Sequence, residues 1–65
     1  MLEYAEKVEK LRMIMEAAKI LSVQTDDPVC ESTGDDVLCL VIDSLTYLDP
    51  ENYEVYEREL GLWEA

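Results

Sequence analysis

The side chains able to do chemistry in this 65-residue chain are nearly all carboxylates: sixteen Asp and Glu stand beside two Cys and no His. Catalysis in water ordinarily draws on a tuned acid–base group, an activated nucleophile or a metal, and neither a His nor a Gly-rich phosphate loop is present. Carboxylates one helical turn apart can hold magnesium, and Glu54–Glu57 and Glu6–Glu9 both have the Glu-x-x-Glu spacing. Lys7, Lys10 and Arg12 would repel a cation from the second pair, and the first has no companion motif on another segment. A magnesium-dependent all-α nucleotide hydrolase is therefore the least favoured of three readings. Asp26, Asp27, Asp35 and Asp36 lack the alternating ligands and central Gly of an EF-hand loop and read as turn and capping residues. Cys30 and Cys39 form no CxxC pair, which with no His excludes structural zinc; they are expected to be reduced and to pack as small apolar side chains. No metal, no cofactor and no enzymatic activity are expected.

The charge of −11 is unevenly placed. Up to Val23, Glu3, Glu6, Glu9 and Glu16 are balanced by Lys7, Lys10, Arg12 and Lys19, whereas from Gln24 onward twelve acids face one base, Arg58. Such a block repels phosphate backbones and anionic lipids and attracts basic protein surfaces. Direct nucleic-acid binding and membrane binding are thus not expected. The longest strictly apolar run, Val37 to Ile42, falls far short of the roughly 20 residues of a membrane span. With no basic-then-apolar leader at the N-terminus, the expected compartment is the cytoplasm, that of the host if the gene is a phage's.

These side chains need elements to position them. The stretch from about Leu2 to Ser22 has no Gly or Pro and is rich in Ala, Leu, Met, Glu and Lys, which predicts a long first helix. Its apolar arc is broad: Val8, Leu11, Met15 and Ala18 form one stripe, Leu11, Ile14, Ala18 and Leu21 a second, and Met13, Ala17 and Ile20 widen it, leaving Arg12, Glu16 and Lys19 as a polar strip. One thin partner layer is too small to cover that arc, so Leu11, Ile14, Met15, Ala18 and Leu21 are expected to build the core and a self-association surface. The turn formers between Val23 and Asp36 predict a loop of about a dozen residues, with Val29 and Cys30 dipping to the core. A second helix is expected from Asp35 to Leu48, capped near Ser32, Thr33 or Gly34, with Val37, Val41, Leu45 and Leu48 on one face. A buried strand at residues 37–42 is the minority alternative. Asp49-Pro50-Glu51 reads as a stop and restart with Asp49 as the cap, opening a short third helix that ends at Gly61. Tyr53, Tyr56 and Leu60 would form its apolar face, and Trp63 would fold back over the helices.

The fold class expected is all-α, a single small domain of three helices (long helix, loop, second helix, short third helix) that associates as a dimer. The face expected to meet a partner interleaves acids with aromatics: Asp43, Tyr47, Asp49, Glu51, Tyr53, Glu54, Tyr56, Glu57, Glu59 and Trp63. Solubility alone does not require removing nearly every Lys and Arg, since mixed charge is the ordinary surface. The pattern points to a non-catalytic inhibitor that occupies the basic surface of a nucleic-acid-binding protein, as phage host-takeover proteins, anti-CRISPR proteins among them, are expected to do. The alternative is a dimeric helical adaptor or antitoxin-like regulator that works through the apolar face of the first helix.

Overall fold

The computed structural model describes residues 1–64, and the side chains of residues 1–61. Among the described residues there are three α-helices and no strand: α1 is Tyr4–Val23, α2 is Pro28–Leu48 and α3 is Tyr53–Glu64, with a 3-10 turn at Pro50–Asn52 between the last two. The all-α three-helix expectation holds, and the strand alternative does not. Residues 37–42 lie inside α2, where a 3.6-residue period sends Leu38, Val41 and Ile42 inward and turns Leu40 out to solvent.

α1 begins where expected. The Glu6 carboxylate accepts a hydrogen bond from the Glu3 backbone N–H at 3.4 Å, which occupies a donor that the first turn leaves unused. At the other end the Gln24 N–H reaches the Ile20 carbonyl at 2.8 Å.

The long loop expected between Val23 and Asp36 is instead the four-residue turn 24–27. Asp27 N–H donates to Thr25 Oγ1 at 3.1 Å, while the Asp27 carboxylate accepts from the N–H groups of Val29 and Cys30 at 2.9 and 3.3 Å. Pro28 occupies the first helical turn, where a missing N–H costs nothing. Asp27-Pro28 is thus the same start signal as Asp49-Pro50, and Ser32, Thr33 and Gly34 lie inside α2 and do not cap it. Val29 is exposed and Cys30 half-buried, so Val29 does not dip to the core. Cys30 and Cys39 stand on one helix about 13 Å apart along its axis at 1.5 Å per residue. A disulfide within the chain, which needs Cα atoms within about 7 Å, is excluded.

Gly34 costs α2 intrinsic helicity, by about 1 kcal/mol relative to Ala, and its packing explains the choice. It is buried against α1, where a Cβ would meet Ser22 N at 2.7 Å, the Ala18 carbonyl oxygen at 2.9 Å and Leu21 Cβ at 2.9 Å. Ala18 on the facing helix is itself buried, so two small residues bring the backbones together, and a Ser22–Asp35 hydrogen bond lies beside the crossing. Val8, Met15 and Ala18 of α1 then close on Leu38, Val41, Ile42 and Leu45 of α2, with Tyr56 of α3 completing the buried set.

The body is a flattened 36 × 27 × 14 Å. Gly61 does not end α3 in a left-handed conformation: no Gly has positive φ, and the helix runs on to Glu64. The apolar seal expected from Leu62 and the fold-back of Trp63 fall outside the described side chains.

Two glycine substitutions should give opposite signs. Gly34→Ala should lower stability by about 1–3 kcal/mol in urea unfolding, because overpacking against backbone atoms outweighs the gain in helicity. Gly61→Ala, with nothing within 4 Å of the new Cβ, should raise stability by up to about 1 kcal/mol.

Candidate partner-binding surface

The acidic half of the chain divides into carboxylates that the fold uses internally and carboxylates that it presents. Asp49, at the corner between α2 and the 3-10 turn, belongs to the first group and is buried. Its Oδ2 accepts from Tyr56 Oη at 2.6 Å, Asn52 Nδ2 at 2.9 Å and Arg12 Nη2 at 3.2 Å. Tyr4 Oη lies 3.3 Å from Oδ1 but donates its one proton to the Leu48 carbonyl at 2.6 Å. Arg12 also donates from Nε and Nη2 to Tyr56 Oη, at 3.1 and 3.0 Å, so the phenol accepts from a cation while donating to an anion. The expected backbone cap is not made: the Asp49 side chain serves this cluster, and Asn52 N–H bonds the Asp49 carbonyl at 3.1 Å.

The electrostatic consequences follow the contacts. The hydrogen bond from Tyr56, then that from Asn52, hold the Asp49 carboxyl below its ordinary range, with Tyr4 and Arg12 adding to the effect against the penalty of burial. Burial, then the bond to Asp49, push the Tyr56 phenol up, so it stays neutral and able to donate. A second clasp joins α1 to α3: Lys19 Nζ sits 2.6 Å from Glu59 Oε2, which raises the Lys19 pKa, and 3.6 Å from Glu16.

Of the residues expected to meet a partner, Asp49 and Tyr56 are therefore withdrawn. Tyr56, 1% exposed, is a core residue, and Glu59 is half-buried in its ion pair. Both corrections have one cause. Two of the four cations on α1, Arg12 and Lys19, reach across the helix–helix junction and each takes a carboxylate from the acidic half, Lys19 while also keeping Glu16 of its own helix. Tyr4, Arg12, Lys19 and Asn52 were missed as site-builders; the only signal was that Arg12, Glu16 and Lys19 recur at i, i+4, i+7 along the narrow polar strip of an otherwise apolar helix.

Asp43, Tyr47, Glu51, Tyr53, Glu54 and Glu57 remain exposed, and Trp63 lies outside the described side chains. On α2 the outward stripe runs Val29, Thr33, Asp36, Leu40, Asp43, Tyr47, alternating steps of four and three opposite the core-facing Leu38, Val41 and Leu45. Apolar side chains stand out among its acids: Leu40 is 68% and Tyr47 85% exposed.

The five residues expected to form core and self-association surface also divide. Met15 and Ala18 are buried and Leu11 packs against them, whereas Ile14 and Leu21 face out. Leu21, though 38% exposed, borders Gly34 of α2 through its Cβ, and Ile14 with Met13, Ala17 and Ile20 makes a second exposed apolar face on α1.

Among the described residues no group of three or more acidic or thiol side chains is placed to hold a metal ion, and no helix is long and apolar enough to cross a membrane. No family model matches the chain, and no curated protein or solved structure matches it either.

Because the folded pKa of Asp49 lies below its unfolded value of about 3.9, its contribution is complete above that value and is lost as pH falls through the folded pKa. In acid titrations of unfolding free energy, Asp49→Asn should be less stable than the wild type at neutral pH, with the gap closing at the acid end. Tyr56→Phe, which leaves Arg12 and Asp49 short of one partner each, should cost about 1.5–3 kcal/mol.

Proposed function

We propose that this chain is a non-catalytic acidic binding protein that inhibits a nucleic-acid-binding protein by occupying its basic surface, of the kind a phage would use against host defence or transcription machinery. The observation that carries the reading is the composition of the presented face. After the internal pairs are subtracted, Glu31, Asp36, Asp43, Glu51, Glu54 and Glu57 stand exposed along α2 and the start of α3, with Leu40, Tyr47 and Tyr53 exposed among them. Carboxylates spaced along a helix offer a Lys/Arg groove the charge pattern it uses for phosphates, and rigid aromatics supply contact area at little entropic cost. The internal use of Arg12 and Lys19 strengthens this, because it removes two cations that would otherwise soften the field.

Binding of this kind should weaken steeply with added salt and compete with the target's DNA or RNA. The combined reversal Asp43→Lys, Glu54→Lys and Glu57→Lys should abolish inhibition without loss of helicity, and Tyr47→Ala should weaken binding by about 1–2 kcal/mol. Glu59 is unsuited to this test, since its reversal would also break the clasp to Lys19. Salt-independent binding that leaves nucleic acid on the target would sink the proposal.

The second apolar face of α1 favours one other reading, the dimeric adaptor or antitoxin-like regulator, in which that face is the working surface and the acids serve solubility. The same triple reversal would then spare function, and Ile14→Asp would remove it.

A further inference from the structure

The outer side of α2 is laid out as a seam. Val29, Asp36 and Asp43 form one column at seven-residue spacing, and Thr33, Leu40 and Tyr47 form a second beside it, so the exposed line keeps its steps of four and three for about 27 Å. Val29, 73% exposed, joins Leu40 and Tyr47 as an apolar side chain left in water. We propose that this seam docks a basic amphipathic helix of the partner protein, which lies along α2 with apolar residues on Leu40 and Tyr47 and with Lys or Arg against Asp36 and Asp43. The inference rests on the reading of the chain as an acidic binder of basic surfaces, and adds the shape and spacing of what is bound.

The shoulders of the seam suit a helix. On one side stand Ser32, Cys39 and Thr46, and on the other Cys30, Val37 and Ser44; all are short, none carries a formal charge, and only Ser32 is fully exposed. The Ser44 hydroxyl turns back to the Leu40 carbonyl at 3.0 Å and does not project. With no long side chain beside the two columns, a second helix reaches the axial separation of about 8–10 Å at which side chains interlock.

Charge decides which helix. α2 has no Lys or Arg, and two of its four acids are off this face: Glu31 lies in the column of the inward Leu38 and Leu45, and Asp35 is bonded to Ser22. Asp36 and Asp43 remain, about 10 Å apart along the axis, and a helix that covers them must bring cations at the same interval. A wholly apolar helix would leave both carboxylates buried and unpaired, and an acidic one would be repelled. A second copy does not supply the cations. Its Arg12 and Lys19 are already paired, its Lys7, Lys10 and Arg58 stand four positions from Glu3, Glu6 and Glu54, and its α2 would set Asp against Asp.

Two peptides equal in length to the 21 residues of α2 test the docking, each with Leu and Lys at alternate seam positions, in the two opposite phases that serve parallel and antiparallel approach. One of them should bind the full chain at least about tenfold more tightly than a peptide of the same composition with Leu and Lys scrambled, and a version with Glu for Lys should not bind. Leu40→Gln combined with Tyr47→Gln should weaken that binding by about tenfold or more at unchanged helicity, since neither side chain belongs to the core. Asp36→Asn combined with Asp43→Asn should flatten its fall with added salt. Equal binding of the ordered and scrambled peptides, or indifference to the Leu40 and Tyr47 substitutions, would overturn the docked helix and leave the acidic reading in place. Failure of both seam peptides to bind would also overturn the helix, and the acidic reading would rest on competition with nucleic acid. Binding of the Glu peptide as tightly as the Lys peptides would overturn both.

Discussion

A carboxylate removed from water must find donors for its lone pairs or return to solvent, and the placement of all three helices answers that demand at Asp49. Its donors come from different elements: Arg12 from α1, Asn52 from the 3-10 turn and Tyr56 from α3, while Tyr4 of α1 donates beside it to the Leu48 carbonyl. Arg12 approaches Asp49 from the helix packed against α2, whereas Asn52 and Tyr56 reach it only through the turn at Pro50–Asn52. The cluster therefore fixes the angle at which α3 leaves α2 and the side of the hairpin on which it lies. Lys19–Glu59 holds the same junction two turns further along α1. The same clustering explains why the Tyr56 hydroxyl, at the end of a buried ring, is not a liability: it accepts from Arg12 and donates to Asp49.

Drawing Arg12 and Lys19 inward shapes the exterior as well. A domain this small buries a limited core, eight apolar side chains among the described residues, and cannot sacrifice apolar surface to internal charge without compensation. It resolves the conflict by pairing two of its five cations, Arg12 and Lys19, with the buried Asp49 and the half-buried Glu59. The outer side of α2 and the first turn of α3 are left acidic, while the outer side of α1 is left apolar and neutral. Two faces of contrasting chemistry follow from one internal economy of charge, and the functional readings correspond to them.

How much was legible varies with the range of the interaction. The helical character of residues 4–23, the restart at Asp49-Pro50, the inward row of Val41 and Leu45, and the excess breadth of the α1 apolar arc are all local or periodic signals, and they hold. The start of α2 was misplaced because Ser32, Thr33 and Gly34 look like a helix boundary when read alone. Gly34 is there for the approach of Ala18, Leu21 and Ser22, a contact with the other helix that no local pattern records. Gly61 shows the converse: a residue that often stops helices lies within one, at ordinary helical φ.

What the sequence by itself determined is the class of molecule: an all-α chain whose charge is segregated, neutral and apolar in its first helix and acidic beyond it. Composition and period suffice for that, since helix propensity and net charge are sums over neighbours. The tertiary structure alone decided which acids are available. Asp49, Glu59 and Tyr56 carry the same letters as the residues around them, and they became internal because chain geometry brought Arg12 and Lys19 within hydrogen-bonding distance across more than thirty positions. Coulomb and hydrogen-bond energies depend on separation in space, which separation along the chain does not reveal.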